Sequence, residues 1–213
     1  MIRNKDTALK VAEFLMQIKA VKLQPNNPFT WASGWKSPIY CDNRKTLSYP
    51  QIRNFIRQEF AAMITDKFGE PDLIAGVATG GIPHGVLVAQ HLGLPFAYVR
   101  SESKGHGLEN MIEGEVGNKQ SVVVVEDLIS TGGSSLRAVQ ALKDAGCKVK
   151  GLVAIFSYGF RVSDEAFKKA KCPYFTLTNY QTLIEQAMAS GFIDESQRKD
   201  LELWKEHPDT WGK

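Results

Sequence analysis

The chain is poor in cysteine, in long apolar runs and in net charge, and each shortage removes a class of protein. Its three cysteines, Cys41, Cys147 and Cys172, are odd in number and far apart. They form neither a C-x-x-C pair nor a Cys/His spacing suited to zinc, so reduced thiols are expected rather than a disulfide framework. No apolar run approaches the roughly 20 residues that cross a bilayer. The opening Met1-Ile2-Arg3-Asn4-Lys5-Asp6 lacks the apolar core of a secretory signal behind it. Lys and Arg number 26 against 23 Asp and Glu, a net charge of +3, too small to imply a nucleic-acid surface. Neither G-x-x-x-x-G-K-[ST] nor G-x-G-x-x-G occurs, which leaves P-loop and dinucleotide folds without support. These gaps together lead to the expectation of a soluble, cytoplasmic protein with no nucleic-acid or membrane partner.

What is present is ordinary globular material: 213 residues, 43% hydrophobic and 23% charged, enough for one well-cored domain spanning 1–213. Apolar residues at Val11, Phe14, Leu15 and Ile18 predict a helix from about Asp6 to Ala20. Residues 21–48, broken by Pro25, Pro28, Gly34 and Pro38, predict short strands and turns. Pro50 suits a first helical turn, and Ile52, Phe55, Ile56, Phe60, Met63 and Ile64 mark one face of a helix ending at Gly69.

A rhythm of short apolar runs and helical stretches follows. Residues 73–78, 96–99, 122–125 and 152–156 predict four strands, and 174–177 a fifth, with helices between them and two more from Tyr180 to Trp204, broken at Gly191. This pattern predicts an α/β fold with a mostly parallel central sheet flanked by helices. In such sheets ligands bind beyond the carboxyl ends of the strands.

The decisive stretch runs from Val122 to Ser135. Four valines end in two adjacent carboxylates, Glu126 and Asp127, and then Leu128-Ile129-Ser130-Thr131-Gly132-Gly133-Ser134-Ser135 opens a helix. Gly132 and Gly133 let the backbone turn tightly and approach an anion. The amides of a helix start favour phosphate, and the serines and Thr131 add hydroxyls. Carboxylates beside a phosphate cradle would repel it unless they face sugar hydroxyls or positive charge growing on a ribose ring. The combination fits a phosphorylated sugar.

The segment resembles the phosphoribosyl pyrophosphate (PRPP) signature of the type I phosphoribosyltransferases. The resemblance implies that Glu126 and Asp127 meet the ribose 2′- and 3′-hydroxyls while Ser130, Thr131, Gly132, Gly133 and Ser134 hold the 5′-phosphate. Three further segments resemble the orotate phosphoribosyltransferases in chain order, over roughly residues 5 to 165. Phe29-Thr30-Trp31-Ala32-Ser33-Gly34-Trp35-Lys36-Ser37-Pro38-Ile39-Tyr40 resembles their N-terminal hood. There Tyr40 could stack on a flat base, and Lys36 stands near Ala32, where many members carry lysine. Gly76-Val77-Ala78-Thr79-Gly80-Gly81-Ile82-Pro83 resembles their pyrophosphate loop, with Gly80 in place of a common lysine. His84 beyond it is expected on the helix surface. Arg100-Ser101-Glu102-Ser103-Lys104-Gly105-His106-Gly107 resembles their lid loop, with Ser101 replacing a basic residue.

By this resemblance Arg100, Lys104 and His106 bind PRPP, and Lys104, His106 and Asp127 are catalytic. Ser130, Tyr40, Lys36 and Arg161 are candidates for orotate. The resemblance also implies Mg²⁺ bound mainly through PRPP, and a homodimer in which the 101–115 loop reaches the neighbouring subunit's site. The chain divides into an N-terminal helix and hood (1–48), the sheet, and a C-terminal helical extension (180–213). The implied reaction is transfer of ribose 5-phosphate from PRPP to orotate, in de novo pyrimidine biosynthesis. A phosphoribosyltransferase for a purine or uracil, or a PRPP-sensing regulator without turnover, are the alternatives.

Overall fold

Caps and chain breaks place most elements where the apolar periodicity predicts them. The computed structural model describes residues 1–31, 34–101 and 111–212. Helix α1 (Lys5–Gln17) starts at Asn4, whose side chain accepts from the Thr7 amide at 2.7 Å, a favourable N-cap. The hood is two small antiparallel pairs: β1 (Val21–Leu23) with β4 (Ile39–Cys41), and β2 (Phe29–Thr30) with β3 (Lys36–Ser37). A 3-10 helix, Asn43–Ser48, leads to α2 (Pro50–Phe68), which has Pro50 in its first turn and stops at Gly69.

Then come β5 (Leu73–Val77), α3 (Gly81–Leu92), β6 (Phe96–Val99), β7 (Ile112–Glu113), β8 (Ser121–Ile129), α4 (Gly133–Asp144) and β9 (Lys148–Ser157). The chain closes with α5 (Arg161–Lys169), β10 (Tyr174–Asn179), α6 (Tyr180–Ala189) and α7 (Glu195–Glu206). Six strands form one sheet in the order β10-β9-β8-β5-β6-β7, parallel except for the short edge strand β7.

The continuous apolar runs are explained by burial on both faces. Along β8, Val123 and Val125 pack with α1, α2 and α3, while Val122 and Val124 pack with α4. All four are fully buried. At about 1.5–3 kcal/mol per buried side chain, they make β8 a rigid post for whatever stands at its carboxyl end.

From β5 the chain goes to β6 on one side, and later to β8 on the other. The helices that follow β5 and β8 cover opposite faces: Val88 of α3 belongs to one core, and Val139 and Leu142 of α4 to the other. The loops after β5 and β8 therefore part at a topological switch point, and a crevice opens there.

Several details differ from the sequence reading. Strand β8 continues through both carboxylates to Ile129, because Leu128 and Ile129 still pair with Phe156 and Ser157 of β9. Residues 161–169 form a helix that apolar periodicity did not flag, with only Ser163 and Phe167 buried. The largest correction concerns His84, expected on a helix surface. It is 1% exposed, packed edge-on against Phe60, with Nε2 3.4 Å from Thr46 Oγ1. Helix α3 is itself packed between α2 and the sheet, so the face carrying His84 has no solvent to meet.

Burial lowers the His84 pKa to about 4 from its usual 6.5. The unfolded chain takes up this proton first on acidification. Stability from His84 is thus present above about pH 6.5 and lost progressively as pH falls to about 4. A shift of this size is worth about 3 kcal/mol. Urea unfolding of the parent and a His84→Gln variant from pH 7 to 4 should show the parent losing about that much more stability. Parallel pH curves would refute the assignment.

Candidate active site

The crevice at the switch point is bordered by the carboxyl ends of β5 and β8. Glu126 is buried, and its carboxylate is held on both oxygens: Ser135 Oγ donates to Oε2 at 3.0 Å and the Asp127 amide to Oε1 at 3.1 Å. Burial, and then the charge of Asp127, push its pKa well above the ordinary carboxylate value. Asp127 is half-buried, and its pKa is also raised by burial, against the opposing pull of the Glu126 hydrogen bond and the Arg44 charge. Two adjacent carboxylates at the rim of a cavity are strained electrostatically until something donates to them.

Opposite them, β5 passes through Ala78 and Thr79 into the glycines that start α3. A Cβ on Gly80 would lie 2.3 Å from the Asp127 carboxyl, and one on Gly81 would lie 2.3 Å from the Val125 carbonyl. Both glycines are needed because the loop after β5 presses directly on β8. Gly132, at φ +82°, makes the left-handed turn that starts α4, a conformation glycine adopts without strain. Among the described residues no side chain caps α4, so its first amides are open to an anion.

These parts enclose a cavity of about 440 Å³ that Thr79, Gly80, Glu126, Asp127 and the whole Ser130–Ser135 loop border, together with Asp42 and Arg44. A second cavity of about 290 Å³ adjoins it, walled by Thr30, Trp31, Tyr40 and Tyr158. Cys41, Leu128 and Ser130 border both. One cavity is thus built from carboxylates, hydroxyls and amides, and its neighbour from aromatic rings.

The predicted residues fall into three groups. Glu126, Asp127, Ser130, Thr131, Gly132, Gly133, Ser134, Thr79 and Gly80 meet at the first cavity, with Gly81 directly behind them, and Tyr40 and Ser130 line the aromatic one. Three cations stand apart from the second cavity. Lys36 donates to Thr30 Oγ1 at 2.9 Å from an exposed position. Arg161 is exposed and paired with Glu165 at 2.6 Å, on a separate groove that it shares with Thr131 and Trp35. Arg100 follows β6, with Nη1 3.6 Å from Glu113 Oε1. Lys104 and His106 lie outside the described residues, as does most of the 101–115 loop.

Sequence reasoning missed four contributors. Asp42 and Arg44 border the first cavity, and Asn43 ties their segment to β8 by donating to the Asp127 carbonyl at 2.7 Å. Tyr158 walls the aromatic cavity. A signal for Tyr158 was available, since it comes two residues after the fourth apolar run, at the carboxyl end of a strand. The Asp42-Asn43-Arg44 run had no such flag beyond its nearness to Tyr40.

Comparison with known proteins agrees with this geometry. The phosphoribosyl transferase domain family matches residues 48–189. The chain is 60% identical over 200 residues to a Bacteroides thetaiotaomicron protein named orotate phosphoribosyltransferase, covering 94% of each. It is 52% identical over 200 residues to a Bacillus subtilis protein of the same name, covering 94% of this chain and 93% of the other. The crystal structure of orotate phosphoribosyltransferase from Aeropyrum pernix superposes with a TM-score of 0.76 at 26% identity, covering 86% of this chain and 99% of that one.

Proposed function

This chain belongs to the orotate phosphoribosyltransferase family, and from that premise we propose how its residues divide the work. The enzyme transfers ribose 5-phosphate from PRPP to orotate, giving orotidine 5′-monophosphate and pyrophosphate in pyrimidine biosynthesis. The observation that carries the residue assignment is the junction of the two cavities at Ser130, Leu128 and Cys41. The sugar phosphate occupies the polar cavity and the flat base the aromatic one, so C1 of the ribose lies where they meet.

A ring nitrogen of orotate attacks C1 with its lone pair, and its proton is released. The C1–O bond to pyrophosphate breaks, and its electron pair leaves with the pyrophosphate. Positive charge gathers on the ribose as this happens. Asp127, aided by Glu126, accepts from the ribose hydroxyls and stabilises that charge. The Ser130–Ser134 loop and the first amides of α4 hold the 5′-phosphate. Tyr40 and Tyr158 confine the base.

The donor set fits Mg²⁺ brought in on the substrate. Carboxylates border the polar cavity, while among the described residues no three His, Cys, Asp or Glu are grouped as a metal site. Asp127 would help to hold the ion beside pyrophosphate oxygens, where it would offset the charge of the leaving group. Lys104 and His106 supplement it from the 101–115 loop, which reaches the neighbouring subunit of a homodimer, and Arg100 does so from the end of β6. The whole chain acts as one catalytic unit, since Trp204 of α7 donates to the Lys36 carbonyl at 3.1 Å and edges Trp31 of the base cavity. Among the described residues no helix is long and apolar enough to cross a membrane.

Pyrophosphate release should be followed with PRPP, Mg²⁺ and each of orotate, uracil, adenine, guanine and hypoxanthine. Release is expected with orotate alone. Release with another base would overturn the assignment of the aromatic cavity, and PRPP binding without release would leave a sensor rather than an enzyme.

A further inference from the structure

We propose that Arg44 grips the pyrophosphate of PRPP, supplying from the 3-10 helix the cation that the loop after β5 lacks. The inference rests on the phosphoribosyl-transfer reading of the polar cavity. Pyrophosphate is a polyanion, yet the charged side chains bordering that cavity are Asp42, Glu126, Asp127 and Arg44. Arg44 is the one cation among these described residues, against three carboxylates.

The loop after β5 does not provide another, because position 80 is glycine. A Cβ there would fall 2.3 Å from the Asp127 carboxyl, so with Asp127 as it stands the position has no room for a side chain. Arg44 borders the same cavity and is placed to supply one from the 3-10 helix.

Its placement is built rather than incidental. Asn43 is fully buried, and its donation to the Asp127 carbonyl locks the 3-10 helix to the carboxylate strand. Asp42 Oδ1 accepts from Arg44 Nε at 2.6 Å. With the guanidinium held by Nε, its two Nη groups are left uncommitted among the described residues, and the side chain is 59% exposed. A guanidinium oriented from behind, with its outer fork free, matches two phosphoryl oxygens bidentately, as lysine cannot.

The test uses the full chain with two separate ligands, measured calorimetrically: magnesium pyrophosphate, and ribose 5-phosphate. Arg44→Gln should weaken pyrophosphate roughly 10- to 100-fold, the loss of charge-assisted hydrogen bonds, and leave ribose 5-phosphate within about twofold. Arg44→Lys should recover only part of the loss, because the charge returns without the fork. Unchanged pyrophosphate binding in Arg44→Gln would overturn the proposal. Equal weakening of both ligands would overturn it too, marking Arg44 as a prop for Asp127. A parent protein that binds neither ligand would bring down the phosphoribosyl reading along with it.

Discussion

Asp127→Asn is expected to lower kcat by roughly 10²- to 10³-fold, the usual effect of removing one preorganised electrostatic group from a charge-separating transition state. The amide keeps the size of the side chain and the close contact with Gly80, and the backbone carbonyl that accepts from Asn43 is untouched. In the proposed mechanism, what disappears is the negative charge facing the ribose as it becomes cationic. The same substitution should raise the Tm of the unliganded protein. Burial raises the Asp127 pKa, so its stabilising contribution is present below the unfolded pKa and is lost as pH rises through the folded one. Above that folded pKa the charged carboxylate therefore works against folding, and asparagine removes it. Lost turnover with gained stability is the signature of a site strained for function. Pyrophosphate-release kinetics and thermal unfolding at neutral pH check both halves, and turnover within about twofold of the parent would sink the assignment.

Lys104→Ala should be comparably damaging, again by roughly 10²- to 10³-fold in kcat, with no change in Tm. In the proposed mechanism the lysine acts on departing pyrophosphate, so it contributes only once the substrate is bound and water is excluded. The two variants also test the subunit arrangement together. If Lys104 serves the partner's site, chains carrying Lys104→Ala mixed with chains carrying Asp127→Asn form hybrid dimers with one intact site each. Random exchange should then recover roughly a quarter of parental activity. Recovery no greater than the sum of the two variants would place Lys104 in its own subunit's site, and full activity of Lys104→Ala alone would remove it from the mechanism.

The parts of this enzyme that were legible in the sequence are those where local chemistry and chain order suffice. Four valines followed by Glu126, Asp127 and a Gly/Ser/Thr loop specify a buried strand, a charged rim and an anion-binding helix start, whatever surrounds them. Gly132 and Gly133 point to a tight turn and close approach to an anion for the same reason. Parallel topology follows because apolar runs buried on two faces need helices on both.

Other features depended on distance in space, on which a linear pattern is silent. His84 carries the same helical spacing whether its face meets water or α2, and only the packing of α3 against α2 and the sheet made it a buried, neutral imidazole. Arg161 follows a strand, as a base-reading cation should, but the start of α5 turns it toward Glu165 and a different groove. Arg44 looks like one charge among many until Asn43 pins its segment to the Asp127 carbonyl, 84 residues away. Residue types and their order determined which chemistry the chain can perform, because backbone freedom, charge and helix starts are local properties. Which side chains share a cavity was decided by the tertiary structure alone, because burial and electrostatic pairing act between residues that the sequence keeps far apart.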